Sequence, residues 1–281
     1  LKDFERKPAV SGLFYPDKKE ELLQAVESLF LDSKFGPGAL PPPSNERQKI
    51  YGIVSPHAGY VYSGAIAANA FYEISSLNFD TVIIIGPNHY GIGTEVGIMD
   101  EGSWITPFGK IQIDGKLASE ISNQCSIVEV DPIAHSRDHC IEVQIPFLQY
   151  INKSATVLPI ILRDQGKNTS IELGKCLAKI IKNRKVILIA SSDLTHYESN
   201  DRAHAKDTRL ISSIQDMNTS NFYSVLEDFQ VTACGYGAIA SVMTAAKECG
   251  AVKGKLLRYA TSGDVTGDIS SVVGYSAIAF T

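Results

Sequence analysis

Apolar positions along this chain follow two different rhythms, and the change from one to the other predicts its elements. Four stretches, Ile50–Val54, Thr81–Ile85, Ala155–Ile161 and Lys185–Ala190, are nearly continuous and rich in β-branched residues. Parallel strands covered on both faces read this way, because neither face has to be polar. Elsewhere apolar residues recur every three or four positions. That spacing predicts helices at Ala65–Ile74, Cys140–Ile151, Ser170–Ile181, Ala203–Ile214, Ser220–Leu226 and Tyr236–Cys249. An earlier helix runs from Asp17 to Leu31 on Leu22, Leu23, Val26, Leu29 and Phe30, with Asp17 placed to cap it. Short alternating segments around Trp104, Pro107 and Gly109 make Glu95–Ile113 a hairpin excursion. Lys255–Thr261 and Val272–Phe280 read as strands close enough in sequence to pair antiparallel.

Strands alternating with helices specify an α/β architecture. The expectation is a single three-layer domain over residues 1–281, with a mostly parallel central sheet, helices on both faces and an antiparallel edge. Residues 36–48, with Pro37, Pro41, Pro42 and Pro43, form a proline-rich loop within it. Composition agrees: 44% hydrophobic and 20% charged residues in 281 is an ordinary globular mix. A net charge of −5 offers no general attraction to nucleic acid or to an anionic membrane. Apolar runs stop at about five residues, far short of the ~20 that span a bilayer. The first residues, Leu1 to Lys7, are charged where a signal peptide needs an apolar core. Five cysteines without a CxxC pair do not read as a disulfide framework. A soluble cytoplasmic protein is expected.

Three of the buried strands run straight into polar motifs. Ile50–Val54 leads to Ser55-Pro56-His57-Ala58-Gly59, Thr81–Ile85 to Gly86-Pro87-Asn88-His89, and Lys185–Ala190 to Ser191-Ser192-Asp193-Leu194-Thr195-His196. Ligands of open α/β sheets bind beyond the carboxyl ends of the strands. Histidines at three such ends therefore point to a shared site. His57 and His89 stand beside Gly and Pro, in turns that would hold an imidazole ready for a metal; capping of those turns is the structural alternative. Cys234 precedes the helix near Tyr236, where the helix dipole favours a thiolate, the form that binds metal. Cys125, Cys140, Cys176 and Cys249 read as small buried hydrophobes. Asp193 and His196 are three apart, so the carboxylate could orient the imidazole for proton transfer. His139 and Glu142 make a similar pair, while His135 and His204 read as surface residues. No GxxxxGK[ST] loop, no strand-following GxGxxG and no GxSxG elbow occurs, which disfavours nucleotide hydrolysis, NAD-linked oxidation and serine hydrolysis.

These segments together resemble the Memo family, also called AmmeMemoRadiSam system protein B. The resemblance runs from Arg6-Lys7-Pro8-Ala9-Val10 and Phe14-Tyr15-Pro16 through Pro56-His57-Ala58-Gly59-Tyr60, Gly86-Pro87-Asn88-His89 and Asp138-His139-Cys140-Ile141-Glu142. It continues through Ser191-Ser192-Asp193-Leu194-Thr195-His196 and Cys234-Gly235 to Val272-Val273-Gly274-Tyr275. It implies a fold like class III extradiol dioxygenases, with a metal at His57, His89 and Cys234, the cysteine replacing a carboxylate. By the same resemblance His196, with Asp193 beside it, matches an acid/base histidine. Iron or copper is implied, with zinc as the alternative. Two functions stay open: metal-dependent redox chemistry, or a non-catalytic module holding a small molecule or peptide in the old cleft. The family name also links such proteins with AMMECR1-like and radical SAM proteins.

Overall fold

The computed structural model describes residues 4–42 and 49–281. Of the expected proline-rich loop, residues 36–42 carry no helix or strand, and 43–48 lie outside the described residues. The chain opens with a two-residue strand, β1 (Glu5–Arg6), and helix α1 (Lys19–Leu31), which buries Leu22, Val26 and Phe30 at four-residue spacing. Lys18 occupies the N-cap position and no side chain caps this helix, so Asp17 does not take the role expected of it. A strand–helix–strand unit follows: β2 (Gly52–Ser55), α2 (Ala65–Ile74) and β3 (Thr81–Pro87).

The hairpin excursion contains β4 (Val96–Ile98), β5 (Ser103–Thr106) and β6 (Gly109–Gln112). β5 and β6 form the hairpin, closing between Thr106 and Gly109, whose φ of +110° suits glycine. With β1 alongside β5 they make a separate three-stranded sheet. Helix α3 (Gly115–Gln124) escaped the periodicity because only Leu117, Ala118 and Ile121 bury from it. Its start is marked instead by Asp114, which accepts the Leu117 N–H. After β7 (Glu129–Val130), the helix expected from Cys140 begins only as α4 (Ile145–Ile151), behind a 3₁₀ turn at Glu142–Gln144. Pro146 explains the delay: it has no N–H for the Glu142 carbonyl that a continuous helix would require.

The second half alternates as expected: β8 (Thr156–Leu162), α5 (Lys167–Ile181), β9 (Val186–Ser191) and a short β10 (His196–Glu198). Helices α6 (Asn200–Gln215), α7 (Thr219–Asp228) and α8 (Tyr236–Cys249) lead to β11 (Gly254–Thr261), a one-turn α9 (Ser262–Thr266) and β12 (Val272–Phe280). The central sheet runs β10-β12-β2-β9-β3-β8-β4-β7, with β11 pairing β12. β2, β9, β3 and β8 are mutually parallel, while β4 and β12 join them antiparallel. Antiparallel pairing thus borders both sides of the parallel centre, not one edge.

Consecutive strand residues feed two cores. Ile83, Ile85, Leu158, Leu188 and Ala190 pack on the side of α3, α5 and α8, whereas Val82, Ile84, Val157, Ile187 and Ile189 pack on the side of α1, α2 and α4. This is why the strands read as unbroken apolar runs. No helix among the described residues is long and apolar enough to cross a membrane.

Two cysteines depart from expectation. Cys125, at the end of α3, and Cys176, within α5, form a disulfide with Cα atoms 5.9 Å apart. Their separation of 51 residues gave no local signal, and only the packing of α3 on α5 brings them together. Closing a loop of that length restricts the unfolded chain by about 4 kcal/mol in the chain-entropy account. The urea midpoint should therefore fall on reduction by dithiothreitol, and Cys176→Ser should show the lower value without reductant. An unchanged midpoint on reduction would contradict the crosslink.

Candidate metal centre

His57 stands two residues beyond β2, His89 two beyond β3 and Asp193 two beyond β9. These three strands are neighbours in the order β2-β9-β3, so their carboxyl ends open on one crevice. Cys234 reaches it from the turn before α8. A Cβ on Gly235 would lie 2.4 Å from the Ser191 carbonyl oxygen, so only glycine lets this turn sit so closely on the end of β9. The ligand atoms of His57, His89 and Cys234 all lie within 4.8 Å of one another. The Cys234 thiol meets His57 Nε2 at 3.1 Å, and the two imidazoles stand edge to face with ring centroids 5.2 Å apart.

Hydrogen bonds set the tautomer of each imidazole. The Ser191 hydroxyl spends its one proton on the Cys140 carbonyl at 2.6 Å and accepts the Gln144 amide at 2.8 Å. Its 3.0 Å contact with His57 Nδ1 must then be accepted from the ring, which leaves an unprotonated Nε2 facing Cys234. Burial, followed by the positive fields of His139 and His89, drives the His57 pKa well down and keeps the ring neutral. At His89, Nδ1 lies 3.0 Å from Asp138 Oδ1, and the backbone N–H bonds Oδ2 at 2.8 Å. Burial works to raise the Asp138 pKa, but donors from His89 and the Cys140 N–H prevail and hold it well below the carboxylate range. An Nδ1–H pointed at this carboxylate frees His89 Nε2 as a lone pair. A carboxylate or hydroxyl behind a ligating imidazole is the usual support of a metal ligand.

Ser191→Ala therefore leaves the His57 N–H without an acceptor and lets the proton move to Nε2. Metal affinity should fall by roughly 10–100-fold, read by competition against a chelator, with ¹⁵N shifts of the His57 ring reporting the tautomer. Parent affinity and tautomer in the variant would contradict this role.

Cys234 departs from its sequence reading in one respect. Burial, and next the Asp193 charge, push its thiol pKa up, so in the metal-free chain the helix dipole does not produce a standing thiolate. The Asp193 N–H donates to Sγ at 3.3 Å. Asp193 also departs from expectation. Its carboxylate does not bond His196; it accepts the His57 backbone N–H at 2.8 Å, and its carbonyl accepts the Cys234 N–H. Burial raises its pKa to about 6, against the His57 and Ala58 N–H groups that lower it. Asp193 thus clasps the turns that carry His57 and Cys234.

His196 opens β10 and is half-buried. Its Nδ1 lies 2.7 Å from the Leu194 carbonyl and 2.9 Å from that of Thr232, both acceptors, so Nδ1 carries the proton and Nε2 a lone pair. Two backbone carbonyls thus do what Asp193 was expected to do. The Thr232 carbonyl that accepts from its ring lies two residues before Cys234.

Several participants were not legible as such. His139 does not pair with Glu142; its ring stacks on His89 at 4.6 Å and lies 4.8 Å from Phe14. Asp138, which the sequence suggests only as a charge suited to a first helical turn, and Ser191 and Gln144 carry no sequence signal of these roles, although Asp138 and Ser191 lie within the motifs above. Glu142 is buried with Arg6 and also accepts the Val10 N–H at 3.0 Å and the Tyr15 hydroxyl at 2.7 Å. Arg6 in turn donates to the Asp138 carbonyl at 2.7 Å, so the N-terminal segment anchors the loop that carries Asp138 and His139.

His135, expected at the surface, is fully buried, with Nε2 bonded to the Gly97 carbonyl at 3.2 Å and Nδ1 unpartnered. Burial lowers its pKa to about 4. The unfolded chain therefore takes up this proton first as pH falls below the ordinary 6.5. The stability contributed is complete above that value and is lost as pH drops through about 4, a change of about 3 kcal/mol. Urea unfolding between pH 7.5 and pH 4.5 should show this slope, and His135→Gln should flatten it; parallel slopes would contradict the assignment.

The sequence profile of the family described as Memo-like protein matches residues 6–279, which contain the whole centre. The chain belongs to this family. A MEMO1 family protein of Nitrosopumilus maritimus is 51% identical over 276 residues, covering 98% of this chain and 99% of its own. One from Methanocaldococcus jannaschii is 44% identical over 282 residues, 97% of each chain. One from Thermotoga petrophila is 42% identical over 279 residues, 98% of this chain and 99% of its own. Among solved structures, an uncharacterized protein of Escherichia coli K12 superimposes with a TM-score of 0.57 at 10% identity, over 83% of this chain and 100% of the other. That likeness concerns the fold alone.

Proposed function

We propose that this Memo-like protein holds one iron or copper ion between His57, His89 and Cys234 and supports redox chemistry on a small molecule in the crevice. The observation that carries this reading is the convergence of two imidazoles, each with its free lone pair fixed by a partner behind the ring, on one thiol. The donor set fits a borderline or soft metal, and three protein ligands leave positions for a substrate. Zinc suits the same donors. When bound, such an ion would supply Lewis acidity or electron transfer.

The chain's own residues do the rest. His196, with Nδ1–H held by two carbonyls, presents Nε2 as a site for proton transfer with a bound molecule. Asp193 keeps the His57 and Cys234 turns in register, and Asp138 and Ser191 hold the two rings. The family's resemblance to class III extradiol dioxygenases supports oxygen-dependent chemistry, while a thiolate in place of a carboxylate argues against assuming ring cleavage. The experiment is oxygen uptake by tag-free, metal-loaded protein with catechols and with thiols. Metal-dependent uptake that Cys234→Ser abolishes is the expected result.

A second reading is favoured by exposed apolar side chains close in sequence to site residues, Tyr197 next to His196 and Val61 four residues past His57. Tyr197 is 80% exposed, with φ at +59°, and Val61 is 79% exposed. Such residues suit a module that holds a peptide or small molecule without turnover. Stoichiometric metal with no uptake would favour it.

A further inference from the structure

The same three strands that present the metal centre at their carboxyl ends frame a second cavity at their amino ends, on the order of 20 Å away by strand length. Its volume is about 540 Å³, within the range of small-molecule sites. The floor is apolar, with Ile50, Phe79 and Ile187 buried beneath it. Four cations, Lys49, Lys182, Arg184 and Lys185, line it, and no acidic residue does among the described residues. On a chain of net charge −5, that is a local reversal of sign.

Glu120, Asp80 and Glu248 are acids near this cavity. Glu120 is taken by both terminal nitrogens of Arg184, and with Asp80 it borders the adjoining cavity that Lys185 also reaches. Lys49 and Lys182 face a different neighbour, Cys249. Its thiol is raised mainly by burial, while both lysines pull it down and Glu248 pushes it up. Lysines at the ends of helices often serve the last carbonyls. Here backbone N–H groups take that place: Lys182 N bonds the Ala178 carbonyl, Arg184 N that of Ile181, Gly250 N that of Lys247 and Ala251 N that of Ala246. Among the described residues the Lys182 ammonium has no partner, and that of Lys49 lies over the Tyr51 ring, 4.7 Å from its centroid.

We infer that this cavity binds a phosphorylated small molecule, its phosphate between Lys49 and Lys182 and its flat or apolar part against the floor. Ammonium groups are point-charge partners for phosphate. The Asn78 and Asn183 amides stand at the same wall as further polar groups. A cavity of this volume with an apolar floor suits a compact ligand rather than a polymer. The inference is independent of the metal centre.

Isothermal titration calorimetry of the full chain with adenosine monophosphate, inorganic phosphate and citrate tests it. Adenosine monophosphate should bind saturably at one site and more tightly than inorganic phosphate. The Lys49→Gln/Lys182→Gln double variant should weaken it by at least about tenfold, the scale of losing charged hydrogen bonds, and Cys234→Ser should leave it unchanged. Both lysines are exposed, and a circular dichroism melt verifies the variant's fold; if the pair together unfolds, Lys182→Gln alone should still weaken binding. No saturable binding, parent affinity in the folded variants, or citrate binding as tightly as adenosine monophosphate would each overturn the assignment.

Discussion

Cys234→Ser should abolish tight binding of iron or copper while the protein melts close to the parent temperature. A serine hydroxyl is nearly isosteric but stays protonated where a thiol can ionise against a metal, and neutral oxygen is a poor donor to soft ions. The loss should exceed the ~10–100-fold that changes behind a ligand cause. The fold should survive because the Cys234 side chain is half-buried at the mouth of the crevice, with Sγ bonded to the Asp193 N–H and to His57. A hydroxyl can meet both. Chelator competition measures the affinity, and a variant that holds copper or iron as tightly as the parent would remove Cys234 from the ligand set.

His196→Ala should behave differently, keeping the metal and losing turnover by roughly 10²–10⁴-fold. Its Nδ1–H is committed to the Leu194 and Thr232 carbonyls, so Nε2 is the only part of the ring free to act on a bound molecule. Because the neighbouring carboxylate of Asp193 holds the His57 turn rather than this ring, Asp193→Asn should disturb metal binding, and the two variants should separate. Equal loss of metal and oxygen uptake in His196→Ala would make it a ligand. Unchanged uptake would leave it structural and shift the account toward the binding module.

The meeting of His57, His89 and Cys234 was readable because each motif follows a strand or precedes a helix whose period is unmistakable. Buried β-branched runs end on a common rim, whatever the order of strands. What lies behind those residues was not readable. Ser191 supports His57 only because β9 lies next to β2, and Asp138 supports His89 only because Arg6 and Glu142 tie its loop down. Strand order and buried ion pairs across 136 positions leave no trace in local periodicity. Asp193 misled for a related reason. Spacing of three placed it near His196, but rotation of its side chain toward the His57 backbone depends on the adjoining strand. Likewise α3 carries too few apolar residues to register, and the Cys125–Cys176 bridge depends on that helix packing against α5.

X-ray absorption at the metal edge of the iron- or copper-loaded protein tests the central claim most directly. The account predicts one ion per chain, with one sulfur near ~2.3 Å and imidazole nitrogens near ~2.0 Å, and loss of the sulfur shell in Cys234→Ser. A shell of nitrogen and oxygen alone in the parent, or metal bound well below one per chain, would contradict it.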